Sequence, residues 1–162
     1  MTKKPNALQR LLHRFSMLRP VTAFFAPRMH RLDGMILKLT NEKHTISEFL
    51  GWHIVQLITK GAKTGKTQIS PLMGLIDGEK IGLIASNFGR QHNPGWYYNL
   101  KKYPECDIHS NGQSKKYRAR ETAGQEREKY WQMAVSYYAG YEKYKQHAAH
   151  RRIPVMVLER VK

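Results

Sequence analysis

The fold is decided by residues 52–78, which read WHIVQLITKGAKTGKTQISPLMGLIDG. Two apolar runs in this stretch flank a basic loop at 59–67 that is punctuated by Gly61 and Gly65. β-type runs on either side of a Gly-rich turn indicate a hairpin of two strands. Backbone N–H groups in such a turn, with lysines nearby, suit an anionic ligand. A solvated lysine loop with no ligand is the simpler alternative, and both interpretations stay open on the loop alone.

The loop does not match the nucleotide-binding P-loop. That motif has four residues between its first Gly and its Gly-Lys-Ser/Thr, whereas Gly61 and Gly65 enclose only Ala62, Lys63 and Thr64. A P-loop also opens a helix, but Pro71 would interrupt any helix that started here. The spacing therefore argues against a nucleoside triphosphatase.

The composition indicates one globular domain that attracts anions. The chain has 162 residues with 28 Lys+Arg against 12 Asp+Glu, a formal net charge of +16. Such a charge favours nucleic acid, an anionic membrane surface or a multiply charged small molecule as partner. The single cysteine, Cys106, excludes an internal disulfide and fits a reducing compartment. No apolar run is long enough to span a bilayer. We expect a cytoplasmic protein, with peripheral contact at the inner face of the membrane as an alternative.

Residues 1–49 are predicted to form a basic helical segment ahead of a second domain at 50–162. Within this segment, one helical face at 7–18 carries Leu8, Leu11, Leu12, Phe15 and Leu18, with the arginines mostly off it. A stripe of this kind usually packs on the domain. The alternative is a basic amphipathic helix that rests on a membrane surface.

The rest of the chain predicts an α+β protein around an antiparallel sheet. Six strands are expected, at 52–59, 67–76, 80–86, 105–110, 114–121 and 154–159. Helices are expected at 95–103, from a capping box at Thr122–Gln125 to about 138, and at 141–147. Hairpin turns are predicted at Asp77-Gly78 and Asn111-Gly112. Six short strands curl most easily into a small barrel, because closure removes exposed edges.

Between residues 50 and 160 the chain carries a series of short motifs in order. They are Thr-x-Gly-x-Lys-Thr-Gly at 59–65, Ser70-Pro71-Leu72, Asp77-Gly78, Ala85-Ser86-Asn87, Asn93-Pro94-x-Trp96-Tyr97-x-Asn99-Leu100, Tyr138-x-x-Tyr141-x-x-Tyr144 and Ile153-Pro154-Val155-x-Val157-x-Glu159. Their order and spacing resemble the deazaflavin-dependent nitroreductase family.

The resemblance implies a fold, a coenzyme and an activity. The fold would be a split β-barrel of the flavin-mononucleotide-binding (FMN-binding) type, with an antiparallel six-stranded sheet and flanking helices. The coenzyme would be the deazaflavin F-420, whose tail carries a phosphate and glutamates. The activity would be hydride transfer from the reduced coenzyme to a small electrophilic acceptor, such as a quinone or nitroaromatic. The alternative is a split-barrel reductase or binding protein that uses FMN or another anionic ligand.

Site residues carry over from the family by matched position. The coenzyme would be lined by Ala62, Lys63 and Thr64 at its phosphate and tail, by Gln68, Ile69, Ser70, Pro71, Leu72 and Met73 along the second strand, by Ile84, Ala85, Ser86 and Asn87 at its ring, and by Gly95, Trp96, Tyr97, Tyr98 and Asn99 at a helix start that favours anions. The expected catalytic residues are Ser86, as a hydrogen-bond donor, and Tyr138, Tyr141 and Tyr144, as a wall over the acceptor with Tyr141 closest to the coenzyme.

Several alternatives stay open for these residues. Trp96 and Tyr97 could be core aromatics, and the tyrosines could be ordinary helix packing. No metal site is expected, because the histidines show no spacing typical of ligands. No specific nucleic-acid binding is expected, since aromatics do not alternate with Lys/Arg along a strand face. A monomer and a homodimer are both compatible with the sequence.

The chain departs from the family pattern at three places. The family usually has arginines where this chain has Ala62 and Gln68, and lysine cannot copy their bidentate phosphate contacts. Arg90, Lys101 or Lys102 are the candidates to supply the missing charge. After the pair Ser86-Asn87 the family usually has Gly-Gly, and this chain has Phe88-Gly89. The change alters the backbone where the coenzyme ring would lie.

Overall fold

The computed structural model describes residues 53–161. The predicted segment at 1–49 and its helix at 7–18 lie outside the described residues. Within the described range the strands are β1 Ile54–Lys60, β2 Thr67–Met73, β3 Leu75–Asp77, β4 Lys80–Ile84, β5 Glu105–Ser110, β6 Gln113–Glu121 and β7 Val155–Arg160, and the α-helices are α1 Gly95–Lys102, α2 Gly124–Tyr137 and α3 Gly140–His147. None of these helices is long and apolar enough to cross a membrane.

The strands form one antiparallel sheet in the order β2-β1-β5-β6-β7-β4-β3. Its two edge strands, β2 and β3, are consecutive in the chain and are separated only by Gly74. The sheet must therefore curl until its opposite edges almost meet. Gly74 lies at that seam: a Cβ there would be 3.0 Å from Val55 on β1 and 3.3 Å from Ile81 on β4. The Gly74 N–H donates to the His53 carbonyl at 2.8 Å, so the seam is also hydrogen-bonded.

Two apolar cores lie on opposite faces of the curled sheet. The concave face packs around Leu57, Leu83 and Leu158 and is covered by Trp96 and Leu100 of α1. The outer face carries α2 and α3 and packs around residues such as Trp131, Tyr141 and Val157. Strand β7 is apolar at successive positions because its side chains enter the two cores alternately.

The fold class expected from the sequence is confirmed, with one difference in strand number. The apolar run at 67–76 is divided at Gly74 into β2 and β3, so the described part of the chain has seven strands where six were expected. The stretch looks continuous in sequence because apolar residues, Met73 and Leu75, lie on both sides of Gly74, while the division arises from the passage between sheet edges. The turn at Asn111-Gly112 has positive φ at both residues, 52° and 72°, as a two-residue hairpin requires.

The predicted capping box at Thr122–Gln125 is wrong. Helix α2 begins at Gly124, and its N-cap is Ala123, which makes no side-chain capping bond. The Thr122 hydroxyl instead donates to the Val155 carbonyl at 3.1 Å, and the Thr122 N–H donates to the same oxygen at 2.9 Å. The residue type suited a cap, but the adjoining strand β7 offered a buried acceptor.

Candidate functional site

The basic hairpin loop at residues 60–66, called the lysine loop below, is closed by its own backbone. Gly61 donates to the Lys66 carbonyl at 2.8 Å, and Gly65 donates to the Gly61 carbonyl at 2.9 Å. The amides of Lys63 and Thr64 have no hydrogen-bond partner among the described residues. Adjacent free N–H groups in a turn form an anion-binding concavity, so the loop keeps donors that a phosphate or carboxylate could use.

Helix α1 holds the lysine loop in place through Asn99. Its amide nitrogen donates to the hydroxyl of Thr59 at 3.0 Å, and its amide oxygen accepts from the Ala62 N–H at 2.8 Å. Both ends of this side chain are thus occupied by protein. Asn99 was predicted to line the coenzyme, and the contacts that the structure gives it are those of a residue that orients the loop.

The lysine loop carries positive charge that the described carboxylates do not neutralise. Lys60, Lys63 and Lys66 form no ion pair within residues 53–161. Lys102 donates to the Ala62 carbonyl at 2.8 Å, which brings a fourth ammonium group to the loop. Lys101, one residue away, is paired instead with Glu121 at 3.1 Å. Of the two, only Lys102 contacts the lysine loop.

Strand β2 divides its predicted coenzyme residues between the two faces of the sheet. Residues that are directly opposite in an antiparallel pair share a face, and the register pairs Thr59 with Gln68, Leu57 with Ser70 and Val55 with Leu72. Gln68, Ser70 and Leu72 therefore lie on the concave side with Thr59. Their neighbours Ile69, Pro71 and Met73 alternate onto the outer face, where Met73 packs against the second core.

The chain after β4, residues 86–94, is called the Ser86 loop below. Ser86 is 9% exposed, and its hydroxyl has no hydrogen-bond partner among the described residues. The next three residues, Asn87, Phe88 and Gly89, have positive φ of 49°, 56° and 76°. Gly89 is needed there because a Cβ would be 2.7 Å from His147 Cβ on α3. The predicted ring-binding residues Ile84 and Ala85 have buried side chains in the outer and concave cores, so only their backbone is available to a ligand.

Phe88 is held in a strained backbone conformation. A non-glycine residue in the left-handed region costs about 1–3 kcal/mol, and a bulky one lies at the upper end. The Phe88 ring meets Tyr144 edge-on with centroids 5.9 Å apart, a contact worth about 0.5–1.5 kcal/mol. The ring contact offsets only part of the strain, and the side chain stays 53% exposed. Stability alone therefore does not explain a phenylalanine at this position.

Arg151 fixes the Ser86 loop, and sequence reasoning missed it. Its guanidinium donates to the Ser86 carbonyl at 2.8 Å, to the Arg90 carbonyl at 3.0 Å and to the side-chain oxygen of Asn93. Partial burial lowers the pKa of Arg151, while Tyr98 on α1 acts in the opposite direction. The only sequence signal was an arginine pair at 151–152 just before the motif at Ile153, and no local pattern shows which arginine turns inward.

Tyr138, Tyr141 and Tyr144, called the tyrosine triplet below, pack against one another. Their ring centroids are 6.0, 6.1 and 5.8 Å apart. Tyr141 is buried and also meets Trp131 at 6.1 Å. Burial raises the pKa of Tyr141, and burial followed by interactions with Tyr138 raises the pKa of Tyr144. Both phenols stay protonated at physiological pH; the Tyr144 hydroxyl is hydrogen-bonded to Tyr138, and the Tyr141 hydroxyl can serve as a donor.

Helix α1 connects the two loops. Asn93, two residues before the start of α1, accepts a hydrogen bond from Arg151. At the other end, the last turn of α1 holds the lysine loop through Asn99 and Lys102. Eight helical residues rise about 12 Å. Gly95 and Tyr98 on this helix are exposed, whereas the Trp96 side chain is buried in the concave core.

Tyr97 behaves as a structural residue on the same helix. Its hydroxyl donates to Glu121 at 3.0 Å, and partial burial together with that bond raises its pKa to about 12. The structural alternative for Trp96 and Tyr97 thus has direct support from these contacts. Within residues 53–161, no group of three or more His, Cys, Asp or Glu side chains could hold a metal ion.

Comparison with known proteins gives one consistent result. Residues 31–160 match the family model described as F420H(2)-dependent quinone reductase. A Mycobacterium tuberculosis protein provisionally named as such a reductase is 31% identical over 99 residues, which are 61% of this chain and 82% of that protein. A solved structure described as an F420-H2 dependent reductase is 36% identical, with a TM-score of 0.60 over 65% of this chain and 93% of that one. Another, described as a domain-swapped dimer, is 32% identical, with a TM-score of 0.63 over 85% and 98%.

Proposed function

This chain belongs to the F420H(2)-dependent quinone reductase family, and we propose that its lysine loop, helix α1, Ser86 loop and tyrosine triplet are the parts that carry out the family reaction. The protein is an oxidoreductase whose coenzyme is F-420 and whose acceptor is a quinone. When bound, the reduced deazaflavin supplies a hydride, which together with one proton converts the quinone to its hydroquinone. Reduction of nitroaromatics, expected from the sequence, stays a prediction.

The anionic tail of the coenzyme fits the lysine loop. The free amides of Lys63 and Thr64 offer directed donors, and the unpaired ammonium groups around them offer charge. Charge-assisted hydrogen bonds of this type are stronger than neutral ones. Lys102 would take the place of the arginine that the family usually has at Ala62. An ammonium is a point charge and not a bidentate fork, so we expect weaker phosphate binding than an arginine would give.

The ring end of the coenzyme would lie at the Ser86 loop, about one α1 length from the lysine loop. Ser86 has a hydroxyl free to donate, and Arg151 fixes the backbone that carries it. The tyrosine triplet would cover the acceptor and exclude water. Tyr141 would orient a quinone oxygen by donating a hydrogen bond, and Tyr144, whose hydroxyl is bonded to Tyr138, would support the wall. Because the pKa values of Tyr141 and Tyr144 are raised, both would be poor sources of the transferred proton.

The observation that carries this proposal is the continuous set of contacts from Ala62 through Asn99 and α1 to Asn93, Arg151 and Ser86. These contacts hold the lysine loop and the Ser86 backbone at opposite ends of one short helix, which supports an anion site at the first and a ring site at the second. An elongated ligand with an aromatic ring at one end and negative charge at the other matches that arrangement.

Spectral titration tests the proposal. Purified protein is titrated with reduced coenzyme F-420 and with FMN, and turnover is followed with a quinone. We expect saturable binding of the deazaflavin, quinone-dependent reoxidation, and a weaker affinity in the Lys63→Ala variant. Saturable FMN binding without deazaflavin binding would contradict it and favour the flavin alternative.

We also propose a homodimer and a peripheral contact with anionic membranes. The similar structure described as a domain-swapped dimer supports the first, and light scattering on the full chain tests it. The +16 charge and the predicted helix at 7–18 support the second. Sedimentation with vesicles that contain anionic lipid, compared with neutral vesicles, tests the second. A cytoplasmic location stays a prediction.

A further inference from the structure

Phe88 is a bulky residue in a left-handed backbone conformation that such side chains disfavour. It is the middle residue of three with positive φ, between Asn87 and Gly89. Glycine adopts this conformation without steric cost, and phenylalanine does so rarely. The side chain is 53% exposed and belongs to neither core. A strained, exposed aromatic residue beside a candidate active site is a reason to look for a function.

The Phe88 ring continues the aromatic surface of the tyrosine triplet. It contacts Tyr144 edge-on, with an interplanar angle of 81°. In such a T-shaped contact the edge of one ring meets the face of the other, so Tyr144 leaves at least one face of the Phe88 ring uncovered. Tyr144 contacts both Tyr138 and Tyr141, so Phe88 adds a fourth ring at the end nearest Ser86. Unlike the tyrosines, this ring carries no hydroxyl and can recognise only an apolar, flat surface.

We propose that Phe88 determines acceptor specificity by stacking on the flat ring system of the quinone, and that it favours fused-ring over single-ring quinones. The inference rests on the proposed function, because it needs a quinone bound between the coenzyme and the tyrosine triplet. Stacking strengthens with the overlap of the two ring systems. The second ring of a naphthoquinone would stack on Phe88, next to Tyr144, with the quinone ring at the triplet. A one-ring benzoquinone has no second ring to place there.

Substitutions at Phe88 separate the ring from the backbone strain. Phe88→Gly removes both, Phe88→Ala removes the ring and keeps a strained Cβ, and Phe88→Tyr keeps both. Each variant is assayed for KM and kcat with a naphthoquinone and a benzoquinone, for coenzyme binding and for Tm. We expect Phe88→Gly and Phe88→Ala to raise the naphthoquinone KM about fivefold, the factor expected from losing one ring contact, with the benzoquinone KM unchanged.

The Tm of two variants and the KM ratio of a third complete the test. Phe88→Gly should melt at or above the wild-type temperature, because its backbone is relieved, and Phe88→Ala should melt lower. Phe88→Tyr should keep the wild-type ratio of the two KM values. An unchanged KM ratio in Phe88→Gly, or an equal loss for both quinones, overturns the inference while leaving the proposed function intact. Failure of the wild type to reduce either quinone with the reduced coenzyme overturns both.

Discussion

Replacing Arg151 with glutamine should loosen the Ser86 loop and weaken coenzyme binding. The wild-type guanidinium makes three hydrogen bonds, to the carbonyls of Ser86 and Arg90 and to the side chain of Asn93. Glutamine is shorter and uncharged, and it cannot reach three acceptors at once. Ser86 would keep one acceptor bond, from the Gly89 N–H at 3.0 Å. The backbone that carries the Ser86 hydroxyl would then be less firmly held.

The size of the effect follows from how exposed each bond is. A hydrogen bond to a charged group contributes about 1.5–3 kcal/mol when it is well shielded. The bonds to Ser86 and Asn93 are partly buried, and the bond to Arg90 is exposed. Counting only the two partly buried bonds, and subtracting the cost of burying the guanidinium, gives a loss of about 2–3 kcal/mol. In a protein of this size that corresponds to a fall in Tm of about 4–12 °C.

Thermal unfolding and a coenzyme titration together check the prediction. Arg152→Gln is the matched control, because Arg152 is an exposed neighbour for which the structure gives no side-chain hydrogen bond. Arg151→Lys keeps the charge and should recover part of the stability but not the three-way contact. The reasoning is refuted if Arg151→Gln has the same Tm as Arg152→Gln and binds the reduced coenzyme as tightly as the wild type.

Three further outcomes are expected. Lys102→Ala should raise the coenzyme Kd about tenfold, the loss expected for one charge-assisted bond, while Lys101→Ala leaves the Kd unchanged. Equal effects of the two variants would indicate general electrostatic attraction and not a specific contact of Lys102. Tyr141→Phe should keep the fold and slow quinone reduction, and an unchanged kcat in stopped-flow turnover would remove its hydroxyl from the site. A hydrogen bond from Lys80 is the main cause that lowers the pKa of Glu159 to about 2. Its contribution to stability is therefore present above the ordinary carboxyl pKa and is lost as the pH falls toward 2, so Glu159→Gln should flatten acid unfolding measured by circular dichroism between those limits.

The sequence predicted the parts of the fold that local patterns determine. The hairpin turn at Asn111-Gly112 and the apolar strand at the end of the domain are examples, since their residue types favour one local structure. The division at Gly74 could not be predicted, because it depends on two sheet edges that meet only in the folded chain. Thr122 has the residue type of a cap, but a carbonyl more than thirty residues away on β7 accepts its hydroxyl.

The candidate site shows the same limit. Motif matching brought forward Lys63, Ser86 and the tyrosine triplet, and their positions as coenzyme or acceptor residues stay predictions. Arg151 was not found, because its partners lie 58 to 65 residues earlier in the chain. Phe88 was noticed only as a departure from the family pattern, and its strain became visible with its backbone angles.

The place of β7 in the sheet has a consequence for biosynthesis. This strand, the last one described, lies between β6 and β4. Before the ribosome releases it, the sheet can exist only as two pieces joined at the Gly74 seam: β2-β1-β5-β6, which bears the lysine loop, and β4-β3, which leads into Ser86. The ends of the proposed coenzyme site belong to different pieces. A nascent chain that stops before Val155 would therefore lack the assembled form of the proposed site, and we expect coenzyme and acceptor to bind only after translation has passed that strand.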